Sequence, residues 1–268
     1  MLEQAASILD VTVAQLELFF LVLVRMSAMV FLFPILKNSN VSARLKVGFA
    51  FILSVVIFPH LKDTQVPYTP EVAHLILIVM KEVAVGVIIG FAGGLLFVFV
   101  DFGGEVINRN VGLSMMPMLN PETGENSTSL TQLIMFIFLI MFLLNNHHFF
   151  FIEVMAESYT YIPVMGLEWD AQKFSHVFTY MVSEALVTGL RLAAPVLVTT
   201  LLVLLGLAFM SRAMPNLNVW MVSMPVKIFI GILTLIYVFP MMYQLFDQYL
   251  ASLQWNILTL MKIGGGHG

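Results

Sequence analysis

The chain has 268 residues, of which 60% are hydrophobic and 10% are charged, with a formal net charge of −4. Soluble domains carry about 25% charged residues, so this much apolar surface needs the lipid bilayer as a second apolar phase. The composition therefore excludes a soluble enzyme and a disordered chain, zero cysteines exclude a disulfide scaffold, and a pI of about 5.8 without a Lys/Arg cluster argues against nucleic-acid binding.

Six apolar tracts predict an all-α integral membrane protein with one domain over residues 1–268. The tracts lie at 16–36, 47–59, 72–100, 130–152, 174–210 and 219–246. The second is short for a bilayer about 30 Å thick, and the fifth is too long for one span. The fourth is interrupted by two asparagines and two histidines at 145–148.

Local signals predict where several helices begin and end. Thr69 is followed by a proline and an acid, which is typical of a helix start. A capping box is formed by Ser129 and Gln132. Asp170 and Asn218 can each cap the helix that follows them. The third helix is predicted to end near Gly112 and to be followed by a loop.

Charged residues inside the apolar tracts are costly in lipid unless they are paired or hydrated. The candidates are Lys81, Glu82, Glu184, Arg191 and Lys227, with Glu17 and Arg25 in the first tract. One interpretation is an ion or proton path. The other is pairing between helices, or helices that do not lie fully in lipid.

Three glycines, Gly86, Gly90 and Gly94, recur every fourth residue. That spacing puts them on one face of a helix, where a second helix can approach closely. The pattern predicts a helix-packing face, against chance glycines as the alternative.

A stripe of polar or small residues follows in the same segment, formed by Asp101, Glu105, Asn108 and Gly112. Glu105 can also pair with Arg109 at i,i+4. A methionine-rich segment, 113–118, comes next. Polar groups followed by flexible, polarizable methionines suit a water-filled path with a deformable closure. The alternative is that the methionines fill core space.

No catalytic or cofactor-binding motif is present, so we expect no enzymatic activity, no metal and no cofactor. His147 and His148 are adjacent, point in different directions on a helix and make a poor metal site. They are better explained as a polar break near the end of a span.

Several short segments together resemble the FliR family of flagellar biosynthetic proteins and its virulence-secretion counterpart, the SctT family. The central motif of that family is matched by residues 104–107, 111–114 and 120–124. Its Asn-Gly-His element is matched at 145–147, with Asn146 in place of the glycine. Later elements are matched at 192–196, 211–219 and 224–227, with Ser211 and Asn216 as departures.

The resemblance implies an export-gate subunit of the type III secretion system in the bacterial inner membrane and flagellar basal body. It implies helical hairpins, with a FliP-like part followed by a FliQ-like part. The implied partners are several copies of FliP and FliQ homologues, FlhB and unfolded flagellar export substrates. A channel plug carried over from the family would consist of Met115, Met116, Pro117, Met118 and Leu119.

Three other functions stay open at this point. The SctT-like subunit of a virulence secretion system shares the later motifs. A secondary transporter or ion channel would use the charges in the apolar tracts. A membrane-embedded enzyme would need convergent acid, base or metal groups.

Overall fold

A computed structural model describes residues 2–33, 42–61, 72–113, 129–168, 170–214 and 219–266, and within those ranges the regular structure is helical. The predicted all-α fold is confirmed. The α-helices are α1 (Leu2–Leu32), α2 (Ala43–Ile57), α3 (Val72–Val111), α4 (Ser129–Leu144), α5 (His147–Tyr161), α6 (Ala171–Ala213) and α7 (Val219–Gly264), and a 3-10 turn, Phe58–Leu61, extends α2.

Side-chain caps set two of the helix starts. The Asp170 carboxylate accepts the backbone N–H groups of Gln172, at 3.1 Å, and Lys173, at 3.2 Å, which confirms the predicted cap of α6. The Ser42 hydroxyl accepts the N–H of Leu45 at the start of α2. The predicted caps at 69–71 and at Asn218 lie outside the described residues.

The end of α3 is set by Gly112. Its φ is +94°, a conformation that glycine adopts at little cost, and its N–H donates to the Asn108 carbonyl at 3.2 Å. This is a common way for a helix to stop, and it agrees with the predicted end near Gly112.

The fourth apolar tract is broken into two helices, α4 and α5, at Asn145 and Asn146. Asn146 has φ 59°, in the left-handed region where asparagine is the most tolerated residue after glycine. The predicted polar break is therefore a helix break, with His147 and His148 as the first residues of α5.

Among the described residues, five helices are long and apolar enough to cross a membrane, or six if α4 and α5 count as one broken span. The fifth apolar tract forms a single helix of 43 residues, and α7 has 46. At 1.5 Å per residue each is about 65–70 Å long, roughly twice the hydrocarbon thickness of a bilayer.

The chain packs as two units that alternate along the sequence. The first unit comprises Met1–Gly94, Asn146–Thr179 and Leu253–Gly268, and the second comprises Leu95–Asn145 and Tyr180–Ser252. The single-domain assignment and the order of FliP-like and FliQ-like parts stay predictions.

In the first unit, α1 runs parallel to the first half of α3. Arg25, Met29 and Leu32 of α1 successively meet positions 86, 90 and 94 of α3. Helix α5 runs antiparallel to α1, because Phe151 packs on Phe33 while the other end of α5 meets Arg25.

In the second unit, α6 and α7 form an antiparallel hairpin. Glu184 accepts a hydrogen bond from Ser252 at 2.6 Å, and Thr234 donates to Thr199 at 3.2 Å. The core where α3, α4 and α7 meet is aromatic, with buried side chains of Phe99, Phe138, Phe246 and Tyr249 in contact.

Prolines interrupt both helices of this hairpin. Pro195 lies inside α6, and Pro225 and Pro240 lie inside α7. The two hydrogen bonds across the hairpin put Pro195 at the same level as Pro240, and Pro195 lines one open depression with Val238 and Met241.

Candidate functional site

The first unit contains a buried ion pair between α1 and α3. The Nε atom of Arg25 lies 2.5 Å from Oε2 of Glu82, and the two side chains are 0% and 1% exposed. A buried charge is tolerated only when its partner and its hydrogen bonds are both in place. Glu82 therefore pairs with another helix, as one of the two interpretations predicted. Its partner is Arg25, which the sequence did not identify.

The other donors of Arg25 hold the end of α5. They reach the carbonyl oxygens of Ser158, at 3.3 Å, Ile162, at 2.9 Å, and Pro163, at 3.5 Å. The guanidinium also lies 4.2 Å from the centroid of the Tyr159 ring. The Ser158 carbonyl also accepts the N–H of Ile162 at 2.9 Å. Carbonyl groups at the C-terminal end of a helix carry partial negative charge and attract cations, so Arg25 serves as the charged end-cap of α5.

The turn after α5 is held from the other side by α3. Met165 has φ 71°, which is unusual for a residue with a side chain. Its N–H donates to Oε1 of Glu82 at 3.0 Å, and its carbonyl accepts from Nζ of Lys81 at 3.3 Å. Lys81 and Glu82 thus fix this turn, and Arg25, Glu82 and Met165 form one connected polar network.

Three glycines of α3 face α1, and the space between the two backbones widens from Gly86 to Gly94. A Cβ atom at Gly86 would lie 2.7 Å from the carbonyl oxygen of Arg25, and one at Gly90 would lie 3.0 Å from the Met29 backbone. At Gly94 the nearest atom, the Leu32 carbonyl oxygen, would be 3.7 Å away. The close approach is thus centred on Gly86 and Gly90.

A second glycine contact, in the second unit, was not singled out by the sequence. A Cβ at Gly103 would lie 2.6 Å from the Gly189 carbonyl oxygen, and one at Gly189 would lie 2.7 Å from the Phe99 carbonyl oxygen. Here one glycine from each helix allows α3 and α6 to touch backbone to backbone. A single glycine per helix leaves no repeat for sequence analysis to find.

The polar stripe of α3 lies in the second unit. The predicted pair forms, with Nε of Arg109 3.0 Å from Oε1 of Glu105, and both side chains are accessible. Thr131 of α4 donates to the other oxygen of Glu105 at 3.3 Å. Asp101 is exposed and Asn108 is fully buried, so the stripe runs from the surface into the packing between helices.

Three further charges lie on α6 and α7. Glu184 is half-buried and bound by Ser252, Arg191 is exposed and Lys227 is half-buried. Arg191 precedes a charge-free stretch of α6 that ends at Arg212, and Lys227 precedes one in α7 that ends at Asp247. These residues therefore mark the ends of the most apolar part of each helix.

The proposed plug, Met115, Met116, Pro117, Met118 and Leu119, lies outside the described residues. Among the residues that are described, no three His, Asp or Glu side chains come together as metal ligands.

Similarity to known proteins covers nearly the whole chain. Residues 16–253 match the family described as bacterial export proteins, family 1. The chain is 28% identical over 252 residues to flagellar biosynthetic protein FliR of Bacillus subtilis (strain 168), which covers 91% of this chain and 96% of that protein. It is 27% identical over 244 residues to the protein of the same name from Escherichia coli (strain K12). That alignment covers 91% of this chain and 92% of that protein.

A relative with a different name also matches, over a smaller part of the chain. Yop proteins translocation protein T of Yersinia pestis is 29% identical over 227 residues, which cover 83% of this chain and 86% of that protein.

Proposed function

Because this chain belongs to the bacterial export proteins, family 1, we propose that it is a subunit of the flagellar export gate, through which unfolded flagellar subunits leave the cell. At the coarser level it is a multi-pass inner-membrane subunit of a type III export apparatus. The observation that carries the proposal is the match to two flagellar biosynthetic proteins over 91% of the chain.

The shape of the helices supports membership of a larger assembly. Helices α6 and α7 are about twice as long as a bilayer is thick. Both keep large apolar side chains exposed along their length, among them Leu202, Phe229 and Tyr237. Such surface calls for lipid or for neighbouring helices, and we assign part of it to FliP and FliQ homologues, with FlhB at the base.

The second half of α3 supplies the polar part of the proposed channel. Asp101, Glu105 and Arg109 are accessible to solvent, and the chain turns at Gly112 directly into the methionine-rich segment. We assign the stripe to the wall of the path and residues 115–119 to its plug. Flexible apolar side chains can seal around passing chains of any sequence without specific hydrogen bonds.

The test is what co-purifies with the tagged full-length chain from its own membranes in mild detergent. We expect FliP- and FliQ-like proteins, in a large complex that also contains other flagellar components. Recovery of only a monomer or a small homo-oligomer, under conditions that keep a known membrane complex intact, would overturn the proposal.

A virulence secretion subunit is the second candidate, and the 29% identity to the Yersinia pestis protein favours it. Complementation separates the two. The flagellar assignment predicts that the chain restores swimming to Bacillus subtilis cells that lack their own relative. Restored effector secretion in a virulence system, without restored swimming, would favour the second candidate.

A further inference from the structure

In the second unit, the last residue of α3 packs into α7 at a glycine. Val111 is fully buried, and a Cβ atom at Gly231 would lie 2.6 Å and 3.3 Å from its two methyl carbons. The valine side chain thus occupies the space that any other residue at position 231 would need. A branched side chain such as valine has few rotamers, so it cannot turn away from α7. This contact fixes the level at which α3 ends against α7.

The same end of α3 is held by α4. The Glu105 carboxylate accepts a hydrogen bond from the Thr131 hydroxyl at 3.3 Å. A Cβ atom at Gly104 would lie 3.1 Å from the Thr131 methyl carbon, so two neighbouring residues of α3 contact one residue in the first turn of α4. The last two turns of α3 are therefore held by α4 at one level and by α7 at the next.

The turn that follows depends on the position of this helix end. Gly112 has φ +94°, and a Cβ atom there would meet nothing within 4 Å, so glycine is needed for the backbone conformation and not for space. The contact that positions the chain as it leaves α3 is therefore the one at Val111. Met115 comes three residues after Gly112, and three residues span at most about 10 Å, so a shift of the helix end also shifts the start of the proposed plug.

We propose that Gly231 is a positioning residue for the plug, because its lack of a side chain lets α7 hold the end of α3 where the plug begins. The inference rests on the proposed function, in which residues 115–119 seal the path. A side chain at position 231 pushes Val111 away from α7 and loosens the seal, although every plug residue is still present. Ordinary packing between α3 and α7 predicts something different, a loss of stability without a leak.

The main variant is Gly231→Ala in the full-length chain within its assembled gate. The measurements are membrane conductance in planar bilayers, the yield of the complex and its thermal unfolding temperature. We expect conductance to rise by about fivefold or more, because the added methyl group meets Val111 at 2.6 Å and overpacking of this kind shifts an equilibrium by such a factor. A lower unfolding temperature with unchanged conductance would show packing alone and would overturn the proposal.

A second substitution at position 111 tests whether the two residues act through their contact. Val111→Ala removes both methyl carbons, and the Cβ atom that remains would lie 3.5 Å from a Cβ at position 231, which is ordinary van der Waals contact. The double variant, Gly231→Ala with Val111→Ala, should therefore return conductance to the parental level. A leak that persists in the double variant would contradict the proposal.

Val111→Ala alone removes the contact without adding a clash. It should also raise conductance, by a smaller factor than Gly231→Ala, because α7 no longer holds the end of α3. If Gly231→Ala fails to assemble, this variant decides, and parental conductance would then overturn the proposal.

Two alanine substitutions at other glycines serve as controls. Gly264→Ala repeats the clash on the same helix but in the first unit, where a Cβ atom would lie 2.6 Å from Cδ1 of Ile162. Gly206→Ala in α6 adds a methyl group that meets nothing within 4 Å. We expect Gly264→Ala to lower the unfolding temperature without a leak and Gly206→Ala to change neither. A leak from Gly264→Ala as large as that from Gly231→Ala would indicate general loosening and overturn the proposal.

A parallel measurement separates this inference from the proposed function. Alanine at Met115, Met116 and Met118 tests the plug itself. A leak from that variant but not from Gly231→Ala or Val111→Ala would overturn the role of Gly231 and leave the plug in place. No leak from the methionine variant would remove the plug assignment, and the role of Gly231 would fall with it.

Discussion

At the residue scale, Arg25 is the side chain that connects three helices. It pairs with Glu82, holds the carbonyls at the end of α5 and lies over Tyr159, so three helices meet at one side chain. The sequence showed both charges but not their partnership, since each tract offered an acid and a base and spacing could not choose between them.

Loss of Arg25 is predicted to be costly. In Arg25→Met the Glu82 carboxylate stays buried without its counter-ion, and we expect a loss of about 3–5 kcal/mol of unfolding free energy. The measurement is chemical unfolding of the purified chain in detergent. Replacing both residues, as Arg25→Met with Glu82→Leu, should cost less than the single change.

The control for that experiment is Arg109→Gln, which breaks the exposed pair with Glu105. Exposed pairs contribute about 0–1 kcal/mol, so its effect should be small. Equal losses from Arg25→Met and Arg109→Gln would show that the buried network does not stabilise the first unit.

We predict that Asn146 is required because asparagine tolerates the left-handed backbone conformation at this position. With φ 59°, Asn146→Gly should leave stability unchanged or raise it, whereas Asn146→Val should lower it by about 1–2 kcal/mol, because a branched side chain clashes in the left-handed region. Thermal unfolding of the two variants is the measurement. A neutral Asn146→Val would contradict the assignment.

At the element scale, the helices were largely predictable from apolar tracts and caps. The all-α fold, the cap at Asp170, the end of α3 and the break at 145–146 agree with the sequence. The length of α3 was also predicted: the apolar tract ends at 100, but the helix continues through the polar stripe to Val111, because polar residues such as Glu105 and Arg109 still support a helix by pairing at i,i+4.

The contacts between helices were the least predictable part. The repeat of Gly86, Gly90 and Gly94 indicated a packing face, but which helix packs there depends on the tertiary fold. The contact between Gly103 and Gly189 had no periodic signal.

A graded effect is predicted along the glycine face of α3. Gly86→Ala puts a methyl group within 2.7 Å of the Arg25 carbonyl oxygen and should cost about 1–3 kcal/mol by forcing α1 and α3 apart. Gly94→Ala has 3.7 Å of room and should be neutral or slightly stabilising. The measurement is the yield of folded protein and its thermal unfolding temperature.

The control for this series is Gly48→Ala in α2, where a Cβ would meet nothing within 4 Å. Equal effects of Gly86→Ala and Gly94→Ala would contradict a contact centred on Gly86.

At the scale of the whole molecule, three helices, α3, α6 and α7, each contribute to both units. Polar side chains of the first unit are used in the buried network around Arg25. In the second unit they include the accessible stripe of α3.

The plug is predicted to hold back ions. Replacing Met115, Met116 and Met118 with alanine in the assembled gate should raise membrane conductance, because small side chains cannot fill the path that flexible methionines seal. Ion flux in cells or in planar bilayers is the measurement. The same number of alanines at exposed α6 positions, such as Leu201 and Leu202, provides the control, and unchanged conductance of the methionine variant would remove the plug assignment.

The paired prolines of the α6–α7 hairpin have a mechanical consequence. Each proline removes one backbone hydrogen bond from its helix, and Pro195 and Pro240 do so at the same level of two adjoining helices. Bending stiffness is therefore lowered at the same level in both helices, whereas Pro225 weakens α7 alone, near its start. A load applied to the hairpin would be taken up first at the level of Pro195 and Pro240, and the side-chain packing on either side of that level would be spared.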